Sequence, residues 1–409
     1  MEKIQEVLEG IVYQPQLDLL VQMTKDEKDK SIKCDRYQYE VNGKLYLLVD
    51  NENAKIVVGE DYNYIFLKKD SYGKKAGFFQ RWGKTIEEDP PFSPIGPEIL
   101  DIEISVNGCP PIGDGGNCKF CYKGNTSKTP TNMSFETFKR LINLFPKTLT
   151  QVAFGITGIQ TNPEFLSMMK YCREIGIIPN FTLSGADLTD EIAKEIGSGL
   201  SGALAVSAYA ADKNLCYDTV KKFTDLGMNQ VNIHIMVSKE TLPFVYEVLD
   251  DRLYDPRLSK LNAVVFLGVK PKGRAKGKFH SISKDEYKEL IEYSFDEGIS
   301  VGFDSCSAYK FECAINEMDL TDLEKKSLIG SSESCESSLI SSYLNVKGEY
   351  WHCSFTEDEK NQTYVNVLTA KDFLKDVWYS PTVLKFREQS MSSMINGCRR
   401  CIVFPEINA

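Results

Sequence analysis

The period of hydrophobic positions along the chain changes near residue 100. Residues 1–30 read as helical and then polar, and residues 35–70 alternate with period two, the pattern of half-buried strands. RYQYEVNGKLYLLV carries a Val41-Asn42-Gly43-Lys44 hairpin signal, and AKIVV and YNYIFLKK read as further strands. Residues 1–82 are thus predicted to form a small β-rich N-terminal unit, a candidate for gripping a substrate. Residues 83–99 hold Pro90, Pro91, Pro94 and Pro97, which mark a Pro-rich linker or wrapping segment.

From 100 to 306, strand-length apolar runs alternate with helix-period segments. Strands are predicted at 100–106, 151–156, 179–184, 202–208, 230–237 and 262–269. Helices are predicted after them at 135–145, 163–176, 188–197, 217–227, 241–250 and 283–298, and a short strand at 299–306 closes the series. Asn162 reads as an N-cap with Pro163 at the first helical position, and Ser283-x-x-Glu286 as a capping box. Strand–helix units in series mean a parallel sheet with right-handed crossovers. Six such units fall short of the eight that close a full barrel. The predicted fold class is therefore α/β: a partial (β/α)6 TIM-like barrel, with chemistry at the carboxyl ends of its strands. Beyond 306 the rhythm stops. Residues 307–409 are predicted to form a C-terminal domain with a Ser-rich stretch at 327–342, a hairpin in SYLNVKGEYWHCSF and a helical AKDFLKDVW.

Composition narrows the class. Hydrophobic content of 42% and charged content of 26% are ordinary for a soluble globular protein. A net charge of −10 argues against non-specific nucleic-acid binding, which rests on Lys and Arg. No apolar run approaches the ~20 residues of a membrane span, and the start, Met1-Glu2-Lys3-Ile4, is not a signal peptide. A cytoplasmic protein with no membrane partner is expected. Twelve cysteines against three histidines then point to thiolate metal chemistry, since disulfides rarely persist in that compartment. Cys34, Cys172 and Cys216 are scattered and expected to be buried hydrophobes.

The loop VNGCPPIGDGGNCKFCYKGNT, after the first barrel strand, gathers Cys109, Cys118 and Cys121. A structural zinc site wants four closed ligands. Three thiolates can hold three irons of a [4Fe–4S] cluster and leave the fourth open to a chelating ligand.

This loop resembles the cluster loop of the radical S-adenosylmethionine enzymes, whose usual spacing is Cys-x3-Cys-x-aromatic-Cys. Cys118-Lys119-Phe120-Cys121 matches; eight residues, rich in Gly and Pro, separate Cys109 from Cys118. The resemblance implies that Cys109, Cys118 and Cys121 hold a [4Fe–4S] cluster that binds S-adenosylmethionine, with Phe120 near the adenine. GITGIQTNPEF after the second strand matches in Asn162-Pro163-Glu164-Phe165 but lacks the family's Glu for the methionine ammonium, leaving Thr157, Gly158 or Gln160 as substitutes. Ser184 and Ser207 stand where the family contacts S-adenosylmethionine. The likeness covers roughly residues 100–300.

The tail resembles the auxiliary-cluster domains called SPASM and twitch. Cys335, Gly348 and Cys353 follow their spacing, and Cys398-Arg399-Arg400-Cys401 completes a set. One auxiliary [4Fe–4S] cluster on Cys335, Cys353, Cys398 and Cys401 is implied; a four-cysteine zinc ribbon is the alternative. Cys306, ending the last strand, is a candidate hydrogen-atom donor or auxiliary ligand, and Asp304 a candidate proton acceptor. Lys270, Lys272, Arg274, Lys276 and Lys278 form a solvated basic loop or a contact for an acidic peptide or phosphate, and His234 is expected to be a core residue. The implied activity is reductive cleavage of S-adenosylmethionine to a 5′-deoxyadenosyl radical that abstracts hydrogen from a peptide or protein. An electron donor such as flavodoxin or ferredoxin is implied too. The alternatives are a small-molecule radical dehydrogenase and a zinc-binding interaction protein.

Overall fold

The computed structural model describes residues 35–68, 78–85, 88–113, 116–395 and 398–408. The helical pattern at 1–30 and Cys34 lie outside the described residues.

Five strands, β1 (Asp35–Val41), β2 (Lys44–Asp50), β3 (Ala54–Gly59), β4 (Asn63–Leu67) and β5 (Phe78–Trp82), form an antiparallel meander in chain order. Asn42 and Gly43 both take positive φ between β1 and β2, as the two-residue hairpin requires.

The second sheet holds β6 (Ile99–Glu103), β9 (Gln151–Gly155), β10 (Ile178–Leu183), β11 (Leu204–Ser207), β12 (Val231–Val237), β13 (Ala263–Gly268) and β14 (Val301–Phe303) in parallel, adjacent order. β7 (Ser105–Val106) and β8 (Thr131–Asn132) make a small separate pair. Helices α1 (Phe135–Leu144), α2 (Phe165–Glu174), α3 (Asp190–Glu195), α4 (Lys213–Asp225), α5 (Leu242–Tyr254) and α6 (Lys284–Asp296) cross between the strands. Alternation sorts the two faces of each strand. On β6, Leu100 and Ile102 join the hydrophobic core, while Asp101 and Glu103 point to the opposite side, the barrel interior.

Several boundaries differ from the sequence pattern. Helix α2 proper begins at Phe165, and Asn162 closes the turn that leads into it, its Oδ1 accepting from the Glu164 amide at 3.0 Å. Asn162 is buried, its amide donates to the carbonyls of Ile104 and Met133, both at 2.9 Å, and it ties the second βα loop to the first strand. Helix α4 begins at Lys213, not 217, because Asp212 caps it by accepting from the Leu215 amide. The Ser283–Glu286 capping box forms as expected.

After β14 come α7 (Ala308–Glu317) and α8 (Asp322–Gly330), and the chain then returns to the far edge of the sheet. There β15 (Ser341–Leu344) pairs in parallel with β6, followed by antiparallel β16 (Glu349–Trp351) and β17 (Val365–Asn366). Last come α9 (Pro381–Ser392) and the short pair β18 (Met394–Ile395) and β19 (Cys398–Arg399). The tail strands thus extend the barrel sheet. Ser93 and Ile95 of the proline segment are fully buried, and the Trp378 indole donates to the Ser93 carbonyl at 2.9 Å.

The N-terminal meander docks at the amino ends of the barrel strands. The Tyr64 hydroxyl donates to the Thr148 carbonyl at 2.9 Å, the Lys55 ammonium to that of Leu149, and Ile178 packs into the meander's apolar cluster. This is the end opposite the loop that carries Cys109, Cys118 and Cys121, while Arg81 of the meander reaches Glu336, the neighbour of Cys335.

Candidate functional site

Cys109, Cys118 and Cys121 lie on the long loop after β6, half-buried and close enough to act electrostatically on one another. Burial pushes the Cys118 thiol up to about 12, and the Phe120 amide opposes this by donating toward the sulfur. The loop is held from the β13 side. Arg274 donates from Nε to the Cys118 carbonyl at 2.8 Å and from Nη1 to that of Asn125 at 2.7 Å, and its own amide donates to the Cys121 carbonyl at 3.0 Å. Gly273 must be glycine, since φ is +57° and a Cβ would lie 2.3 Å from the Tyr122 carbonyl oxygen. The basic run is therefore no uniform charged loop: Lys270 and Lys272 are buried, and Arg274 is a clamp.

Phe120 stacks on Tyr209 with centroids 5.9 Å apart and 15° between the planes, and meets Phe279 edge-on. The Thr157 hydroxyl donates to the Asn107 carbonyl at 2.6 Å, which occupies it in fixing the cysteine loop. Gly158 is crowded by Asp187, Thr161 and Pro110. The Gln160 amide N–H donates to Asp187 Oδ2 at 2.9 Å, and its side chain to the Asp187 carbonyl. The carboxylate beside this loop is thus Asp187, which sequence reasoning missed because it sits one loop later, after β10. Ser184 closes its own turn by accepting from Ala186 N. Ser207 ends β11 beside His234 of β12.

The tail thiols do not group as the resemblance implies. Cys306, Cys335, Cys353 and Cys401 line one cavity of about 280 Å³. Cys398 is turned away toward α7, where its neighbours are Glu312 and Cys313. A Cys-x-x-Cys spacing brings two residues close along the chain, but β19 directs the first of them to the helix. Cys306 is half-buried next to Lys270, whose ammonium also pairs with Asp304. Asp304 accepts from the Ser307 hydroxyl at 2.6 Å as well, so it is fully engaged. Asp101 faces this cavity from β6. Lys123 bonds Glu103, Tyr343 and Glu357, and Lys272 donates to the Phe355 carbonyl at 3.2 Å, fastening the cysteine loop and the β13 loop to the tail.

Among the described residues no three His, Cys, Asp or Glu side chains converge as the ligands of a single metal ion must. In an iron–sulfur cluster each thiolate binds a different iron, so its ligands stand further apart. The amides aimed at sulfur fit such a group, since N–H donors stabilise thiolates and tune cluster potential. No described helix is long and apolar enough to cross a membrane.

Fold and site together define an α/β partial-barrel protein with a three-cysteine loop at the carboxyl end of its first parallel strand. The solved structures that share this fold include Streptococcus suis SuiB, with a TM-score of 0.53 at 15% identity over 72% of this chain and 68% of that one. SuiB bound to S-adenosylmethionine gives a TM-score of 0.52 at 13% identity over 77% and 70%. No family model and no curated protein matches the chain.

Proposed function

We propose that the chain is a radical S-adenosylmethionine enzyme acting on a peptide or protein. The observation that carries this reading is the loop of three mutually close thiols at the carboxyl end of β6, clamped by Arg274, on a fold shared with a protein solved with S-adenosylmethionine bound. Cys109, Cys118 and Cys121 would hold a [4Fe–4S] cluster. When bound, it supplies the electron that cleaves S-adenosylmethionine and so starts hydrogen-atom removal from a substrate carbon. Arg274 keeps the sulfurs in register by fixing two loop carbonyls. Phe120, backed by Tyr209, offers an apolar plane for a purine. Asp187 supplies the anionic acceptor for an ammonium that Thr157, Gly158 and Gln160 do not. The tail's likeness to auxiliary-cluster domains supports a peptide or protein substrate and an external donor such as flavodoxin or ferredoxin.

A small-molecule dehydrogenase is the second reading. Asp101 favours it, because oxidising an alcohol needs a proton acceptor and this carboxyl lines the cavity from β6.

Anoxically reconstituted protein is expected to be brown, and with dithionite and S-adenosylmethionine to release 5′-deoxyadenosine. Cys118→Ala should abolish the release. A panel of peptides and polyols then decides between the readings by which class raises the rate. Colourless, zinc-loaded protein that leaves S-adenosylmethionine intact would overturn both and favour a zinc-binding interaction protein.

A further inference from the structure

We propose that Cys306, Cys335, Cys353 and Cys401 form the tail's iron–sulfur site, and that Cys398 is not a ligand. The inference deepens the functional reading and rests on its iron–sulfur chemistry, but the ligand set comes from the cavity alone.

These four thiols line one cavity, and Cys398 does not. The space is about 280 Å³, whereas a single water needs on the order of 10–15 Å³ measured the same way. It has room for a polynuclear group. A zinc ribbon is disfavoured on the same geometry, since its four sulfurs must all lie about 2.3 Å from one ion, and no described set converges so tightly.

The polar groups that touch each sulfur differ between the two sets. The Phe404 amide donates to Cys401 Sγ at 3.3 Å, and the amides of Phe355 and Thr356 point at Cys353. The Lys270 ammonium bonds Cys306. Burial raises all three thiols, but N–H and ammonium donors aimed at sulfur are the contacts that cluster-bound sulfurs accept. Cys398 has a carboxyl as its partner instead. It faces the buried carboxyl of Glu312, one oxygen of which has no hydrogen-bond partner, and a negative charge there repels a thiolate. Its own S–H donates to the Arg399 carbonyl at 3.8 Å, the behaviour of a neutral thiol.

The geometry also explains the chain's course. Cys306 lies at the carboxyl end of β14, one edge of the barrel sheet, and Cys335 and Cys353 flank β15 and β16 at the other edge. A group bound by all four would tie the two edges of the open barrel across its interior.

The test uses full-length protein in which Cys109, Cys118 and Cys121 are all alanine, so that only the tail site can load. After anoxic reconstitution about four iron and four sulfide per chain are expected, the content of one cubane. Adding Cys306→Ala should cut this to less than half, and adding Cys398→Ala should leave it unchanged. Cys306→Ser and Cys398→Ser give a readout that does not depend on losing the cluster: the first should shift the electron paramagnetic resonance of the reduced protein, and the second should not. Loss with Cys398→Ala and retention with Cys306→Ala overturns the assignment, as does a triple-alanine protein without iron. The two proposals fail separately. Iron in the triple-alanine protein, with no S-adenosylmethionine cleavage by the unaltered chain, sinks the enzyme reading and leaves this one standing.

Discussion

His234 shows how far one residue's environment departs from its type. It lies mid-strand on β12 with Nδ1 3.3 Å from the Thr182 hydroxyl, and burial lowers its pKa to about 4, with Asp304 opposing. The unfolded chain takes up a proton near pH 6.5 that the folded chain refuses until about pH 4. Stability is therefore full above pH 6.5 and falls as pH drops toward 4, by roughly 3 kcal/mol at most. His234→Gln keeps a hydrogen-bonding group and removes the titration. The difference in urea midpoint between pH 7 and pH 4.5 should be smaller in the variant than in the parent, with a remainder from His352, which burial also lowers to about 4, and an unchanged difference would show that His234 does not contribute. Other residue-scale features were less legible. Cys109, Cys118, Cys121 and Phe120 are readable because they lie within one loop. Arg274 and Asp187 were missed because they act from the β13 and β10 loops, and only the parallel order of strands brings those loops to the same end. Cys398 lies away from the cavity that the other tail thiols line, and a two-residue spacing says nothing about which way a short strand turns its side chain.

At the scale of elements, the alternating pattern gave the six strand–helix units, since period two and period 3.6 bury different faces. The proline segment was harder to place, because its burial comes from Trp378 and from Leu339 and Ile340 just before β15, far along the chain. The N-terminal meander is joined to the barrel by a buried charge cluster. Arg81 bonds Glu98 at 3.0 Å and Glu336 at 2.9 Å, and Tyr62 also donates to Glu98, which is fully buried. Breaking a buried pair from one side leaves a charge without compensation. Arg81→Met is thus expected to cost about 3–5 kcal/mol in urea unfolding. The double variant Arg81→Met/Glu98→Gln should recover a good part of that loss. A single-variant cost under about 1 kcal/mol, the value of an exposed pair, would mean that water reaches the cluster.

For the whole molecule, the question is whether the barrel stands without its tail. Rhythm alone suggests that it ends at 306, yet β15 pairs with β6 from Ser341↔Ile99 to Leu344↔Ile102. Leu344, Tyr350, Val377 and Trp378 belong to the same apolar cluster as Leu100, Phe138 and Val152. Removing the tail would uncover the unpaired edge of β6, the strand that leads into the cysteine loop, and strip apolar cover from α1. Each fully buried large side chain contributes about 1.5–3 kcal/mol, and a whole domain's stability is only about 5–15 kcal/mol. A chain ending at Ser332 is therefore expected to show no cooperative thermal transition by circular dichroism, and to aggregate through its exposed edge. The full chain should melt cooperatively. A soluble truncated protein with a sharp melt would show that the barrel's parallel strands suffice, and that β15 only decorates the sheet it joins.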